Sequence, residues 1–116
     1  MPVPVQELIA AAKSECHCLD ARAARELYDV SEGAIIIDVR EPREAGQSRL
    51  EQSINIPRGL LEMKITDACP DEGQAIFVHC GGGGRASLSA KTLQDIGYTN
   101  VHVLKAKFDE ILEVFS

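Results

Sequence analysis

The apolar positions along the chain follow two different patterns, one typical of buried strands and the other of helices. Two continuous apolar runs rich in β-branched residues, "AIIIDV" at residues 34–39 and "AIFVHC" at residues 75–80, are typical of strands buried on both faces of a parallel sheet. Three shorter runs predict further strands: "CHCLD", "INI" at residues 54–56 and "VHVL" at residues 101–104. The pattern therefore predicts five strands in all.

Helical spacing appears between these strands. It predicts an N-terminal helix from Val5, Leu8, Ile9 and Ala12, and a second helix that begins after Asp20, a suitable N-cap, and ends near residue 30. Further helices are predicted in "GLLEMKI", at residues 85–96 with Gly97 as the stop, and at residues 107–115. The stretch "REPREAGQSRLEQS" is polar and predicts a loop.

This alternation of strands and helices defines the expected class of fold. It indicates an α/β protein with a central, mainly parallel five-stranded sheet and helices on both faces. No linker or repeat interrupts the chain, so residues 1–116 are expected to form a single domain, with residues 1–18 as an N-terminal helix and lead-in. Ligands of such sheets bind beyond the carboxyl ends of the strands.

Composition and charge exclude several classes of partner. The net charge is −6 and no Lys/Arg cluster is present, which argues against nucleic acid. No apolar run reaches the length of a membrane span. The N-terminus "MPVPVQELIAAAK" lacks a basic start and carries Glu7, so it does not resemble a secretory signal. A cytoplasmic protein is the expectation.

The chain has four cysteines: Cys16, Cys18, Cys69 and Cys80. Without a sign of secretion, we interpret them as reduced thiols rather than a disulfide framework. The sequence Cys16-His17-Cys18 raises the alternative of a metal site, but structural zinc requires four ligands and no second pair exists. We therefore predict no metal, and interpret Cys16 and Cys18 as small thiols at the start of a strand.

The stretch "VHCGGGGRAS" carries the candidate chemistry, and its residues 80–85 are called the Cys80 loop below. Cys80 ends a predicted strand, four glycines follow, and a helix is predicted to begin at Arg85. A glycine-rich turn into a helix N-terminus can point backbone N–H groups at an anion. Those groups would stabilise the thiolate, which is the nucleophilic form of cysteine. The alternative is a structural turn with a buried, inert cysteine.

Two neighbours of the Cys80 loop have open roles at this point. Arg85 keeps its charge at any working pH and can support the loop, hold an anion, or do both. His79 precedes Cys80 in the strand, so their side chains should point to opposite faces of the sheet. We therefore favour a packed histidine at position 79 over a catalytic base.

Four stretches in chain order resemble the rhodanese family of sulfurtransferases: "IIIDVREPRE", "INIPRGLLE", "VHCGGGGRAS" and "GYTNVHVL". The third resembles the family's active-site loop, C-x-x-G-x-R-[AS], whose fixed positions are filled here by Cys80, Gly83, Arg85 and Ala86. The resemblance covers roughly residues 19–108 and implies the rhodanese-like three-layer α/β fold.

The resemblance also implies a reaction. Cys80 would take a sulfane sulfur from thiosulfate or a similar small anionic donor as a persulfide, and a thiol or cyanide would accept it, without a metal or organic cofactor. The residues whose amides would hold the thiolate and the donor are Gly81, Gly82, Gly83, Gly84 and Arg85. Asp38, Arg40 and Glu41 look like framework residues, and we favour a structural ion-pair network for them over direct catalysis.

The chain departs from the family pattern in two places. Arg49 stands where the family has histidine, and Ala106, Lys107 and Ile111 stand where it has two glycines and a tryptophan. These departures bear on substrate preference more than on fold. Arg49 is interpreted as solvated, and it is one of two candidates, with Arg58, for a basic group at the mouth of the site that would favour a doubly charged donor.

Three other functions are alternatives to a sulfurtransferase: a phosphatase, a non-catalytic interaction module and a sulfur carrier. Cysteine-based phosphatases resemble a C-x5-R pattern, whereas only four residues separate Cys80 from Arg85. A non-catalytic rhodanese-like interaction module would be expected to lack the cysteine. A sulfur carrier would hand the persulfide to a protein partner, with Cys16, Cys18 or Cys69 as a relay thiol, a role that buried cysteines seldom have.

Overall fold

The computed structural model describes residues 1–116 and contains one five-stranded sheet in which every neighbouring pair is parallel. The spatial order is β1-β5-β4-β2-β3. The strands are β1 (His17–Leu19), β2 (Ile35–Asp38), β3 (Ser53–Asn55), β4 (Ile76–His79) and β5 (Val101–Leu104). The expected α/β class with a central parallel sheet is confirmed. Because the strands are parallel, their carboxyl ends lie along one edge, where β4 leads into the Cys80 loop.

Helices cover both faces of the sheet. They are α1 (Val5–Glu15), α2 (Ala21–Val30), α3 (Pro42–Gln47), α4 (Leu61–Ala68), α5 (Gly84–Ile96) and α6 (Phe108–Phe115), with a 3-10 turn at Arg58–Leu60. One apolar core joins α4 and α5 to the sheet, and α1 packs on α5. A second core lies under α2 and α6 on the opposite face. No helix of the chain combines the length and hydropathy needed to cross a bilayer.

Helix ends follow the local chemistry of the sequence. The Asp20 carboxylate accepts a hydrogen bond from the Ala23 N–H at 2.8 Å, so the predicted N-cap of α2 is confirmed. Gly97 ends α5 with a φ of 127°, as expected for a glycine stop. The predicted final helix starts at Phe108 rather than at Lys107, which occupies the N-cap position.

The polar loop predicted between β2 and β3 is wrong in part, because it contains α3. Pro42 is the first helical residue, and the Glu44 carboxylate accepts a hydrogen bond from the Glu41 N–H at 3.0 Å. Only Ala45 of this helix is buried, so six residues offer no apolar periodicity. The local start signal, a proline followed by a glutamate two residues later, was nevertheless present in the sequence.

Candidate active site

Backbone N–H groups converge on the sulfur of Cys80. The Cys80 side chain follows β4 and is 1% exposed, and its Sγ accepts hydrogen bonds from the Gly83 N–H at 3.0 Å and the Ala86 N–H at 3.3 Å. Both donors belong to the first turn or the cap of α5, where N–H groups lack partners within the helix and the helix dipole is positive. The arrangement stabilises negative charge on the sulfur.

The local geometry constrains two of the four glycines, Gly83 more strongly than Gly84. Gly83 has a φ of 103°, in the left-handed region, and it is the N-cap of α5. A Cβ at Gly84 would approach the Ile9 Cδ1 to 3.1 Å, a tight contact between α1 and the start of α5 that the end of the Ile9 side chain would have to relieve by a small shift. Gly82 meets no such constraint, since a Cβ there would have no neighbour within 4 Å.

Arg85 is held by a partner that the sequence interpretation missed. Its Nη1 and Nη2 donate to Oε1 and Oε2 of Glu44 at 2.6 and 3.0 Å, in a two-pronged ion pair between α5 and α3. Hydrogen bonds from Arg85 and from the Glu41 N–H lower the pKa of Glu44 from 4.5 to about 2. The same hydrogen bonds, which Glu44 accepts, raise the pKa of Arg85. Arg85 therefore ties α3 to the loop.

Removing the charge of Glu44 should weaken the protein in a pH-dependent way. Each side chain of the pair is 39% exposed, so solvent screening limits the loss in Glu44→Gln to about 1 kcal/mol at pH 7. Because folding lowers the pKa of Glu44, its contribution is complete above about pH 4.5 and is lost as the pH falls towards about 2. Urea unfolding of both proteins between pH 7 and pH 2 measures this convergence. A stability difference that persists at pH 2 would assign the effect to packing instead of charge.

Asp38 and Arg40 form a buried ion pair where β2 ends. The Asp38 Oδ1 accepts from the Arg40 backbone N–H and Nε at 2.9 and 3.0 Å, and its Oδ2 accepts from Nη2 at 2.9 Å. The relative exposures are 0% for Asp38 and 5% for Arg40. Arg40 Nη2 also donates to the Ser48 carbonyl at 2.7 Å. This geometry is that of the structural network expected for the two residues.

Phe108, at the start of α6, connects this ion pair to the Cys80 loop. The Arg40 Cζ lies 3.9 Å from the centroid of the Phe108 ring, and the His79 ring stacks on Phe108 at 5.7 Å. The Phe108 N–H donates to the Gly81 carbonyl at 3.1 Å. Arg40 thus supports the loop through one aromatic ring. Phe108 was not singled out from the sequence, because its contacts with the loop depend on the packing of α6 beside that loop.

His79 is fully buried on the face of the sheet opposite Cys80, as expected. Burial lowers its pKa, and its Nδ1 lies 3.4 Å from the Cys80 carbonyl oxygen. Its Nε2 has no hydrogen-bond partner. The imidazole is therefore a neutral packing group rather than a base directed at the sulfur.

Breaking the buried ion pair should destabilise the fold strongly. Asp38→Ala leaves the Arg40 guanidinium buried without its counter-charge, so we expect a loss of about 3–5 kcal/mol in the free energy of unfolding. Asp29→Ala is a matched control, because Asp29 pairs with Arg25 but its side chain is 51% exposed, and its loss should stay under about 1 kcal/mol. Urea unfolding of both variants tests the contrast. Equal losses would contradict the structural role of Asp38.

The other singled-out residues make no hydrogen bond to the Cys80 sulfur. Arg49 is exposed and donates to the Ser53 carbonyl, and Arg58 donates to Thr92 Oγ1 at 3.1 Å, so neither forms a hydrogen bond with the Cys80 loop. All four cysteines are free thiols. Burial raises the pKa values of Cys16 and Cys69, which makes both less reactive. No group of three or more metal-ligating side chains occurs.

Comparison with known proteins identifies the class. The family model described as "Rhodanese-like domain" matches residues 19–113, which is most of the chain. The chain therefore belongs to the rhodanese family.

Individual relatives agree with this assignment. Thiosulfate sulfurtransferase PspE of Escherichia coli is 34% identical over 65 residues, 56% of this chain and 62% of that protein, so the match spans less than two thirds of the relative. The solved structure of a rhodanese with anions from E. coli has a TM-score of 0.62 at 30% identity and covers 66% of this chain and 89% of its own.

A further neighbour shows the fold alone. The structure of a protein of unknown function from Rhodopseudomonas palustris, described as a possible tyrosine phosphatase, has a TM-score of 0.86 at 24% identity. It covers 97% of this chain and 92% of its own. At this identity the likeness carries no information on chemistry.

Proposed function

We propose that the chain is a sulfurtransferase in which Cys80 carries the transferred sulfur as a persulfide. The observation that carries the proposal is the pair of N–H donors, from Gly83 and Ala86, aimed at the Cys80 Sγ at 3.0 and 3.3 Å. They stabilise the thiolate that attacks the donor and the same thiolate when it is regenerated as the leaving group. The rhodanese-like match and the relative named thiosulfate sulfurtransferase support this reaction class.

The donor half-reaction is a displacement at sulfur. The Cys80 thiolate attacks the sulfane sulfur of thiosulfate, the Sγ–S bond forms, and the S–S bond to the sulfite group breaks. Sulfite leaves with the electron pair of that bond. The amides of residues 81–85 are the groups proposed to hold the dianion, and Arg85, braced by Glu44, keeps them in place.

The acceptor half-reaction regenerates the enzyme. A thiolate or cyanide attacks the outer sulfur of the persulfide, the Sγ–S bond breaks, and Cys80 leaves as a thiolate. The two displacements balance without an external oxidant, a metal or an organic cofactor. Asp38 and Arg40 are proposed to act through Phe108 as positioning residues, because their contacts reach the loop but not the sulfur.

Two features argue against the rival functions. The loop has one residue fewer between Cys80 and Arg85 than a C-x5-R phosphatase loop. Two backbone N–H groups of this shorter loop and of α5 donate to the Cys80 Sγ. A non-catalytic module would have no need for a cysteine in this position. A sulfur carrier would pass the Cys80 persulfide to a protein thiol instead of a small thiol. The chemistry at Cys80 is the same in both cases.

Intact-protein mass after incubation with thiosulfate, without reductant, tests the proposal. We expect a gain of one sulfur atom, located on the Cys80 peptide and removed by cyanide or a thiol. Polysulfide is the second donor in the same assay. No gain from either donor, or a gain confined to the Cys16, Cys18 or Cys69 peptides, would contradict the proposed function.

A further inference from the structure

Two exposed lysines lie on the segment that follows β5 and runs beside the Cys80 loop. The Lys105 Cα lies 4.0 Å from the Cβ position at Gly83, which is the closest approach of any non-neighbouring residue to that position. Farther along the same segment, the Phe108 N–H donates to the Gly81 carbonyl at 3.1 Å. Ala106 is half-buried in the core beneath α6, whereas Lys105 and Lys107 on either side of it are exposed. Both lysines therefore stand beside the loop in solvent.

The ammonium groups of these lysines are not held in ion pairs. Neither forms an ion pair with any side chain of the protein. The first turn of α6 carries Asp109 and Glu110, of which Glu110 lines the groove between α2 and α6. Arg85, the other cation at the loop, is engaged by Glu44.

The position of Lys107 is unusual for its residue type. It is the N-cap of α6, where serine, threonine, aspartate or asparagine is preferred, and it makes no capping hydrogen bond with its side chain. A cation is also disfavoured at the positive end of a helix. A residue that breaks a local rule is expected where function requires it. Here two cationic side chains without ion-pair partners stand on the segment beside the loop, ahead of Asp109 and Glu110, in a chain whose net charge is −6.

We propose that Lys105 and Lys107 recruit the sulfur donor to the Cys80 loop and favour doubly charged donors over singly charged ones. The inference rests on the proposed function for its substrate class. The lysines take the place predicted for Arg49 and Arg58, whose guanidinium groups make their hydrogen bonds elsewhere. Because the lysines act on approach and capture, they should affect the KM for the donor and leave kcat unchanged.

Donor kinetics of the variant Lys105→Gln/Lys107→Gln measure the effect. At low ionic strength we expect kcat/KM for thiosulfate to fall about tenfold. The interaction energy scales with donor charge, so the fall should be about threefold for the singly charged methanethiosulfonate. Added salt should reduce the difference in kcat/KM between the wild type and the double variant. Lys64→Gln is the control, since Lys64 is exposed on α4 without an ion pair and makes no hydrogen bond to the Cys80 loop or to the segment that follows β5.

A second readout does not depend on sulfur transfer. Iodoacetate and iodoacetamide are nearly the same size but differ by one charge, so their rates of alkylation at Cys80 compare an anion with a neutral reagent. Peptide mass analysis restricts the measurement to Cys80. The double variant should lower the iodoacetate-to-iodoacetamide rate ratio about threefold and leave the iodoacetamide rate unchanged.

The outcomes separate this inference from the proposed function. Unchanged donor selectivity and an unchanged alkylation ratio in the double variant would overturn the role of the lysines, even if the wild type transfers sulfur. An equal loss with both donors and both alkylating reagents would also overturn it, because it would indicate a distorted loop. If the wild type accepts sulfur from no donor but the alkylation ratio falls, the proposed function fails and the anion-recruiting pair stands.

Discussion

Replacing Cys80 with serine should abolish sulfur transfer while leaving the fold intact. A serine hydroxyl is not ionised at neutral pH and cannot form a persulfide, so turnover should fall by at least about 10³-fold with every donor. The serine oxygen can accept the hydrogen bonds that the Gly83 and Ala86 N–H groups now donate to Sγ, and the site is 1% exposed, so the structural change is small. Steady-state turnover of thiosulfate with cyanide or a thiol measures the loss.

The other cysteines supply the controls for this variant. Cys69→Ser and the double variant Cys16→Ser/Cys18→Ser remove free thiols that make no hydrogen bond to Cys80. Both should transfer sulfur at the wild-type rate. A folded Cys80→Ser protein that still turns over would refute the persulfide mechanism. A loss confined to the Cys16→Ser/Cys18→Ser protein in transfer to a protein acceptor would instead favour the relay alternative.

The strand pattern and the Cys80 loop were accessible from sequence because they depend on local rules. Buried parallel strands such as β2 and β4 have continuous apolar runs, and Gly83 and Gly97 stand where the backbone adopts a positive φ. Such features can be predicted from residues that are close together in the sequence. They are sufficient to place a cysteine at the carboxyl end of a strand, before the N-terminus of a helix.

The supporting side chains could not be predicted in the same way, because their partners lie far apart in the sequence. Glu44 reaches Arg85 across 41 residues, and Phe108 lies on the loop only because α6 starts beside β4. Arg49 and Arg58 were the candidates from sequence for a cation at the mouth of the site, but their guanidinium groups bind the Ser53 carbonyl and Thr92 Oγ1. The structure instead brings the Cα of Lys105 beside Gly83, because β5 is the neighbour of β4 in the sheet.

Gly83→Val should be the most damaging change in the Cys80 loop apart from loss of the cysteine. The φ of 103° at Gly83 is sterically strained for a β-branched residue, so the backbone must rotate and its N–H must leave the sulfur, now 3.0 Å away. Losing one such donor lowers turnover by about 100-fold, and the strain costs about 1–3 kcal/mol of stability. Steady-state kinetics and urea unfolding measure both effects.

The neighbouring glycine separates backbone strain from simple crowding of the loop. Gly82 has no positive φ, is exposed, and would have no atom within 4 Å of a new Cβ. Gly82→Ala should therefore retain activity, whereas Gly83→Ala, with the same added methyl group, should lose activity and stability in the direction of Gly83→Val. Equal activities in the two alanine variants would show that the left-handed cap at Gly83 is dispensable. The stabilisation of charge on Cys80 would then have to come from the Ala86 N–H and the helix dipole of α5.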